Sequence, residues 1–214
     1  MTNNLLFDFD GTLFDSMGIW DHLATDFLRL HGKTPPPDLE SRVTSMNVGQ
    51  VCLYFHEVLG LSPTPQELET QVFSLLEKRY AFEIMPKPGV PAFLKDCAAA
   101  HRSMNILTAS RRQHVEAALR RCGLLGYFHR IDSCGAWNQT KDSPLVFQTA
   151  AKLLGCLPKE LTVFEDAPHA AQSARAAGCV VYGIYDPAFS AQRALLEASC
   201  VACFTDFTEM RNLL

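Results

Sequence analysis

The chain has 214 residues, 48% of them hydrophobic and 20% charged, and its formal net charge is −4. A chain of this size holds one large domain plus a smaller insertion, and its slightly acidic balance argues against nucleic acid or an anionic membrane surface as a partner. The polar start Met1-Thr2-Asn3-Asn4 is no signal peptide and no apolar run reaches the length of a membrane span, so a cytoplasmic protein is expected.

In chain order, Leu5-Leu6-Phe7 reads as a first strand, ended by Asp8-Phe9-Asp10-Gly11. Residues 16–85 show helical periodicity over 20–30, 48–59 and 66–82 with no strand between, and proline-rich breaks at 34–38 and 62–65 separate the parts. Pro35-Pro36-Pro37 is read as a stiff loop. Met85-Pro86-Lys87-Pro88-Gly89 then returns the chain to a region where strands and helices alternate.

The strands expected there are Met104-Asn105-Ile106-Leu107, a short one around Arg130-Ile131, Leu161-Thr162-Val163-Phe164, and Cys179-Val180-Val181-Tyr182. Between them, Val115, Ala118, Leu119 and Cys122 fall on one helical face that stops at Gly123. Ser143-Pro144 is a cap followed by proline at the first helical position, and an alanine-rich helix runs over 170–177. Such alternation signals an α/β fold with a doubly wound parallel sheet, Rossmann-like, carrying an inserted all-helical domain. The expected division is 1–15 with 86–214 as the core and 16–85 as the insert. The eight cysteines are scattered through apolar segments and read as reduced, with no role assigned to the Cys200 and Cys203 pair. No histidine spacing suggests a metal site.

Chemistry concentrates at the strand ends. Asp8 and Asp10 stand two residues apart where the first strand stops, and two anions held so close call for a divalent metal between them. Glu165-Asp166 ends a strand in the same way, so in a parallel sheet these carboxylates share an edge with Asp8, the edge where open α/β sheets place ligands. Thr108-Ala109-Ser110 follows another strand and offers a hydroxyl and backbone amides suited to phosphate. Lys141 supplies a positive charge able to reach the same edge.

These four segments, taken in chain order, resemble the motifs of the haloacid dehalogenase-like hydrolase superfamily, in the branch with a helical cap inserted after the first motif. Asp8 to Thr12 with Asp15-Ser16 match the first motif, Thr108 the second, Lys141 the third, and Glu165-Asp166 with the helix ending at Ala177-Gly178 the fourth. The resemblance implies a phosphatase that hydrolyses a small phosphorylated metabolite. Asp8 would be the nucleophile that forms an aspartyl-phosphate, and Asp10 the general acid and base. Thr108, Ala109 and Lys141 would bind the phosphate, and Mg2+ would be held by Asp8, the backbone carbonyl of Asp10, Glu165 and Asp166.

The same resemblance keeps a sugar-phosphate mutase of the β-phosphoglucomutase type as the alternative, and a non-catalytic binding protein behind it. Against the mutase, Trp20 stands where that group carries a histidine, and the cap loop Thr44 to Gly49 has no arginine for a second phosphate. The cap is expected to open and close about hinges near Asp15-Ser16 and Met85 to Gly89 and to choose the substrate. Ala167 and Ala170 replace a usual serine and glycine in the fourth motif, which removes a helix-capping hydroxyl.

Overall fold

The computed structural model describes residues 2–43 and 46–213. Six parallel strands form one sheet: β1 (Asn4–Phe7), β4 (Ser103–Thr108), β5 (Arg130–Ser133), β6 (Leu161–Glu165), β7 (Val180–Ile184) and β8 (Ala202–Phe204). Their spatial order is β5-β4-β1-β6-β7-β8, so β1 lies inside, between β4 and β6. Two short strands, β2 (Phe14–Asp15) and β3 (Met85–Pro86), pair antiparallel as a separate ribbon. The chain divides into two compact units, residues 1–15 with 84–214 and residues 16–83.

The 16–83 unit holds α1 (Gly18–Asp21), α2 (Leu23–Leu30), α3 (Leu39–Val43), α4 (Val48–Glu57) and α5 (Pro65–Phe82). The single helix expected over 20–30 is broken at His22, whose φ of −123° and ψ of 11° lie outside the helical range. Arg79 on α5 braces this break, donating to the Ile19 carbonyl at 2.8 Å and to Asp26 at 2.6 Å. Phe27 and Phe55 stack with ring centroids 5.8 Å apart, both buried, and fully buried Leu28, Leu68 and Tyr80 belong to the same unit's interior. Capping boxes begin α4 (Asn47 with Gln50) and α5 (Thr64 with Glu67), each satisfying two of the backbone donors that a helix start leaves unpaired.

In the larger unit, α6 (Val90–Ala99), α7 (Arg112–Arg121), α8 (Pro144–Leu153), α9 (Pro168–Ala176) and α10 (Arg193–Ser199) accompany the strands. Both sheet faces are covered, which explains why the strands read as continuous apolar runs. Phe7 stacks on Phe164 at 4.6 Å and meets Phe93 edge-on at 6.3 Å. Leu6, Leu107, Val163 and Val181 join Val146, Phe147 and the alanines Ala170, Ala171 and Ala174 in a second apolar cluster. The alanine-rich face of α9 thus lets helix and sheet approach closely. All eight cysteines are free; Cys200 and Cys203 both pack against Gly183, where an added Cβ would meet their sulfurs at 3.2 and 2.5 Å.

The segment that returns to this unit is tied down at several points. Gly89 has φ +82°, and a Cβ there would lie 2.4 Å from the Thr208 backbone nitrogen, so only glycine fits. Lys87 N–H donates to the Leu13 carbonyl at 2.9 Å, and its buried ammonium donates to Asp186 at 2.8 Å and to the Tyr185 carbonyl at 3.1 Å. The Asp186 side chain is only 1% exposed, so removing its partner strands a buried charge. Lys87→Met is therefore expected to lower unfolding stability by about 3–5 kcal/mol. Lys87→Met combined with Asp186→Asn should recover part of that loss, as measured by urea denaturation.

Candidate active site

The site grows from the C-terminal edge of three adjacent strands. β1 lies between β4 and β6, so Asp8 follows the central strand, Thr108 ends its neighbour on one side and Glu165 ends its neighbour on the other. Asp8 N–H donates to the Phe164 carbonyl at 2.9 Å, which extends the β1–β6 ladder by one residue and fixes Asp8 beside Glu165. Gly11, with φ +79°, then turns the chain sharply, and its N–H donates to the Phe14 carbonyl at 2.9 Å.

Asp8, Glu165 and Asp166 are all buried, and one carboxylate oxygen of each lies within 4.8 Å of the others. Lys141, also buried, donates its ammonium to Asp8 and, at 2.5 Å, to Glu165. The second oxygen of Glu165 accepts from the Asp166 N–H at 2.9 Å and the Ala167 N–H at 3.0 Å. Glu165 therefore supports the start of α9, where the cap position Ala167 makes no side-chain capping bond. Thr12 donates its hydroxyl to Asp166 Oδ1 at 2.9 Å, whereas the buried Asp166 Oδ2 has no hydrogen-bond partner among the described residues.

Three carboxylates facing one ammonium leave an excess of buried negative charge. Burial, offset only in part by Lys141 and reinforced by Glu165 and Asp10, pushes the Asp8 carboxyl up to about 7. Burial likewise raises Asp166 well above the usual carboxylate range, with Glu165 and Asp8 adding to the effect. Burial opposes the charge on Lys141, but Asp8 and Glu165 outweigh it and hold the ammonium above the ordinary lysine range. An oxygen-only cluster with excess charge and one unsatisfied buried oxygen fits a hard divalent cation, which would relieve the repulsion and complete that oxygen.

The sequence-derived residues do not all converge at this cluster. The Asp10 side chain is outside the acidic trio and accepts instead from Ser110 Oγ at 2.6 Å. The buried Thr108 Oγ1 accepts the Ser110 N–H at 3.0 Å, a local turn that leaves its proton available to donate. Ala109 is exposed. Composition and spacing gave no signal for the contact between Ser110 and Asp10 or for the Thr12 hydroxyl on Asp166, because each joins segments about 100 residues or more apart in the chain. Of the cap loop, Thr44 and Ser45 lie outside the described residues.

The family model described as haloacid dehalogenase-like hydrolase matches residues 5–184, from the first strand through β7. The chain belongs to the haloacid dehalogenase-like hydrolases. Among curated members it is 29% identical over 185 residues to a phosphoglycolate phosphatase from Thiobacillus denitrificans, covering 83% of this chain and 81% of that protein. It is 28% identical over 193 residues to hexitol phosphatase A from Escherichia coli, covering 86% and 83% of the two chains. Among solved structures, a Thermotoga maritima protein provisionally assigned as a β-phosphoglucomutase superposes with a TM-score of 0.83 at 22% identity over 98% of this chain and 97% of that one. CbbY from Rhodobacter sphaeroides, in complex with phosphate, gives 0.74 at 18% identity over 99% and 97%. At these identities the two structures speak for the fold. This haloacid dehalogenase-like fold has no helix, among the described residues, long and apolar enough to cross a membrane.

Proposed function

We propose that this phosphoric monoester hydrolase uses Mg2+ and cleaves a small phosphorylated metabolite through an aspartyl-phosphate on Asp8. The observation that carries the reading is the buried cluster of Asp8, Glu165 and Asp166 under Lys141, with Asp166 Oδ2 left unsatisfied. Hydrolytic names among the curated relatives support a phosphatase over a mutase.

In this reading Asp8 attacks phosphorus through a carboxylate oxygen, and the ester oxygen departs with a proton from Asp10. Asp10, now ionised, takes a proton from water, which attacks the phosphorus of the aspartyl-phosphate and regenerates Asp8. Lys141 and the Thr108 hydroxyl, with the Ala109 amide, hold the phosphate oxygens as charge builds on them. Asp8, Asp166 and the Asp10 carbonyl would hold Mg2+, with Glu165 beside them, and the cation supplies charge neutralisation between nucleophile and phosphate. Glu165 holds Lys141 in place from behind. The reading assigns the 16–83 unit the role of a cap that selects the substrate.

The test is release of inorganic phosphate from a panel of sugar phosphates, polyol phosphates, phosphoglycolate and nucleoside monophosphates, with Mg2+ and with chelator. Release from at least one small ester that stops when metal is removed is the expected result. A sugar phosphate isomerised with no phosphate released would point to the mutase instead, and inertness toward every ester would sink the catalytic reading.

A further inference from the structure

Ser110 stands one residue ahead of the cap position of α7. The helix starts at Arg112 with Arg111 at the cap position and no side-chain capping bond. The Ser110 hydroxyl donates to Asp10 Oδ2 at 2.6 Å, while its own N–H is fixed by the Thr108 hydroxyl at 3.0 Å. Two consecutive bonds thus run from the end of β4 to the carboxylate that follows β1, and the only proton of the serine side chain is directed at Asp10.

Lys141 donates to Asp8 and Glu165, and the Asp10 carboxylate is held by the Ser110 hydroxyl. A proton donor must stand within hydrogen-bond reach of the departing oxygen, and a freely rotating side chain spends much of its time elsewhere. We propose that Ser110 is a positioning residue for the proton exchange carried by Asp10: its hydroxyl grips one carboxylate oxygen and thereby orients the other toward the ester oxygen. The proposal rests on the reading of Asp10 given above and adds a residue to it.

A misplaced acid hurts most where the leaving oxygen most needs a proton. The experiment uses the full-length protein and a series of aryl phosphates, p-nitrophenyl, p-chlorophenyl, phenyl and p-methoxyphenyl, whose leaving groups differ in basicity but little in shape. The quantity measured is kcat/KM, which reports only the steps up to the first irreversible one, the transfer to Asp8. For Ser110→Ala the fall is expected to be about tenfold with phenyl phosphate and smaller with p-nitrophenyl phosphate, a fraction of the full worth of a general acid. The dependence on leaving-group basicity therefore steepens. Ser110→Thr, which keeps the hydroxyl, should restore the shallow dependence.

An equal fall across the series, or none at all, overturns the positioning role while leaving the phosphatase reading intact. Failure of the native protein to cleave any of these esters, or undiminished cleavage by Asp8→Asn, would instead overturn the reading beneath it. Turnover of p-nitrophenyl phosphate by Ser110→Ala also reports that the variant is folded.

Discussion

Asp8→Asn is expected to release no phosphate above background from any ester that the native protein cleaves, a loss of at least about 10^4-fold in kcat. An amide keeps the shape of the carboxylate and still accepts from Lys141, so the variant should fold, but its oxygen is too weak a nucleophile to displace an alkoxide. The same substitution should abolish the covalent intermediate. Brief incubation of the native protein with a labelled substrate and rapid acid quench should leave label on the chain, released by hydroxylamine as expected of an acyl phosphate. Label retained in Asp8→Asn would place the nucleophile elsewhere.

The second large effect is on stability, and it comes from the same buried charge. With metal removed, the folded protein holds a proton on Asp8 up to about pH 7, whereas the unfolded chain gives that proton up near 3.8. Between these values the folded state binds more protons than the unfolded state, so stability falls as pH rises. Raising the pH of chelator-treated protein from about 4 through about 7 is thus expected to lower its midpoint of thermal unfolding for this group, and Asp166, raised in the same direction, adds to the trend. Saturating Mg2+ at about pH 8 should raise the midpoint by roughly 5–10 °C, from the stabilisation expected of a ligand well above its dissociation constant. Below about pH 4 the metal response should vanish, because the carboxylates are then protonated.

Asp166→Asn separates charge from packing in this prediction. Asparagine can still accept from Thr12 through its oxygen, and its uncharged amide takes the place of the unsatisfied oxygen. The variant should be more stable than the native protein in chelator and unresponsive to Mg2+. If it proves less stable in chelator, buried repulsion is not what limits the metal-free protein.

Several features are legible in the order of the residues alone. The Asp8-to-Gly11 turn, the Glu165-Asp166 pair and the Ser143-Pro144 helix start are local signals, in which neighbouring residues carry both the backbone preference and the chemistry. Apolar runs such as Leu161 to Phe164 declare a sheet buried on both faces, because no polar alternation interrupts them. The small elements are not legible. β2, β3 and β8 are two or three residues long and carry no periodicity, and the break at His22 contradicts a helical pattern that runs straight through it. α6 and α10 bury apolar residues, among them Phe93, Leu94 and Leu196, yet neither begins with a side-chain cap bond, so each lacks the start signal that marks α8.

By itself, then, the sequence determined the fold class, the family and the identities of the acidic residues, since strand ends in a parallel sheet must share an edge. Only the tertiary structure decided how those side chains are arranged. It placed the Lys141 ammonium between Asp8 and Glu165, left one oxygen of Asp166 without a partner, turned the Asp10 carboxylate to Ser110, and paired Lys87 with Asp186 across 99 residues of chain. Each of these depends on the direction of a side chain reaching across strands. Such directions are set by packing and by the cost of burying charge, quantities that do not exist until the chain has folded.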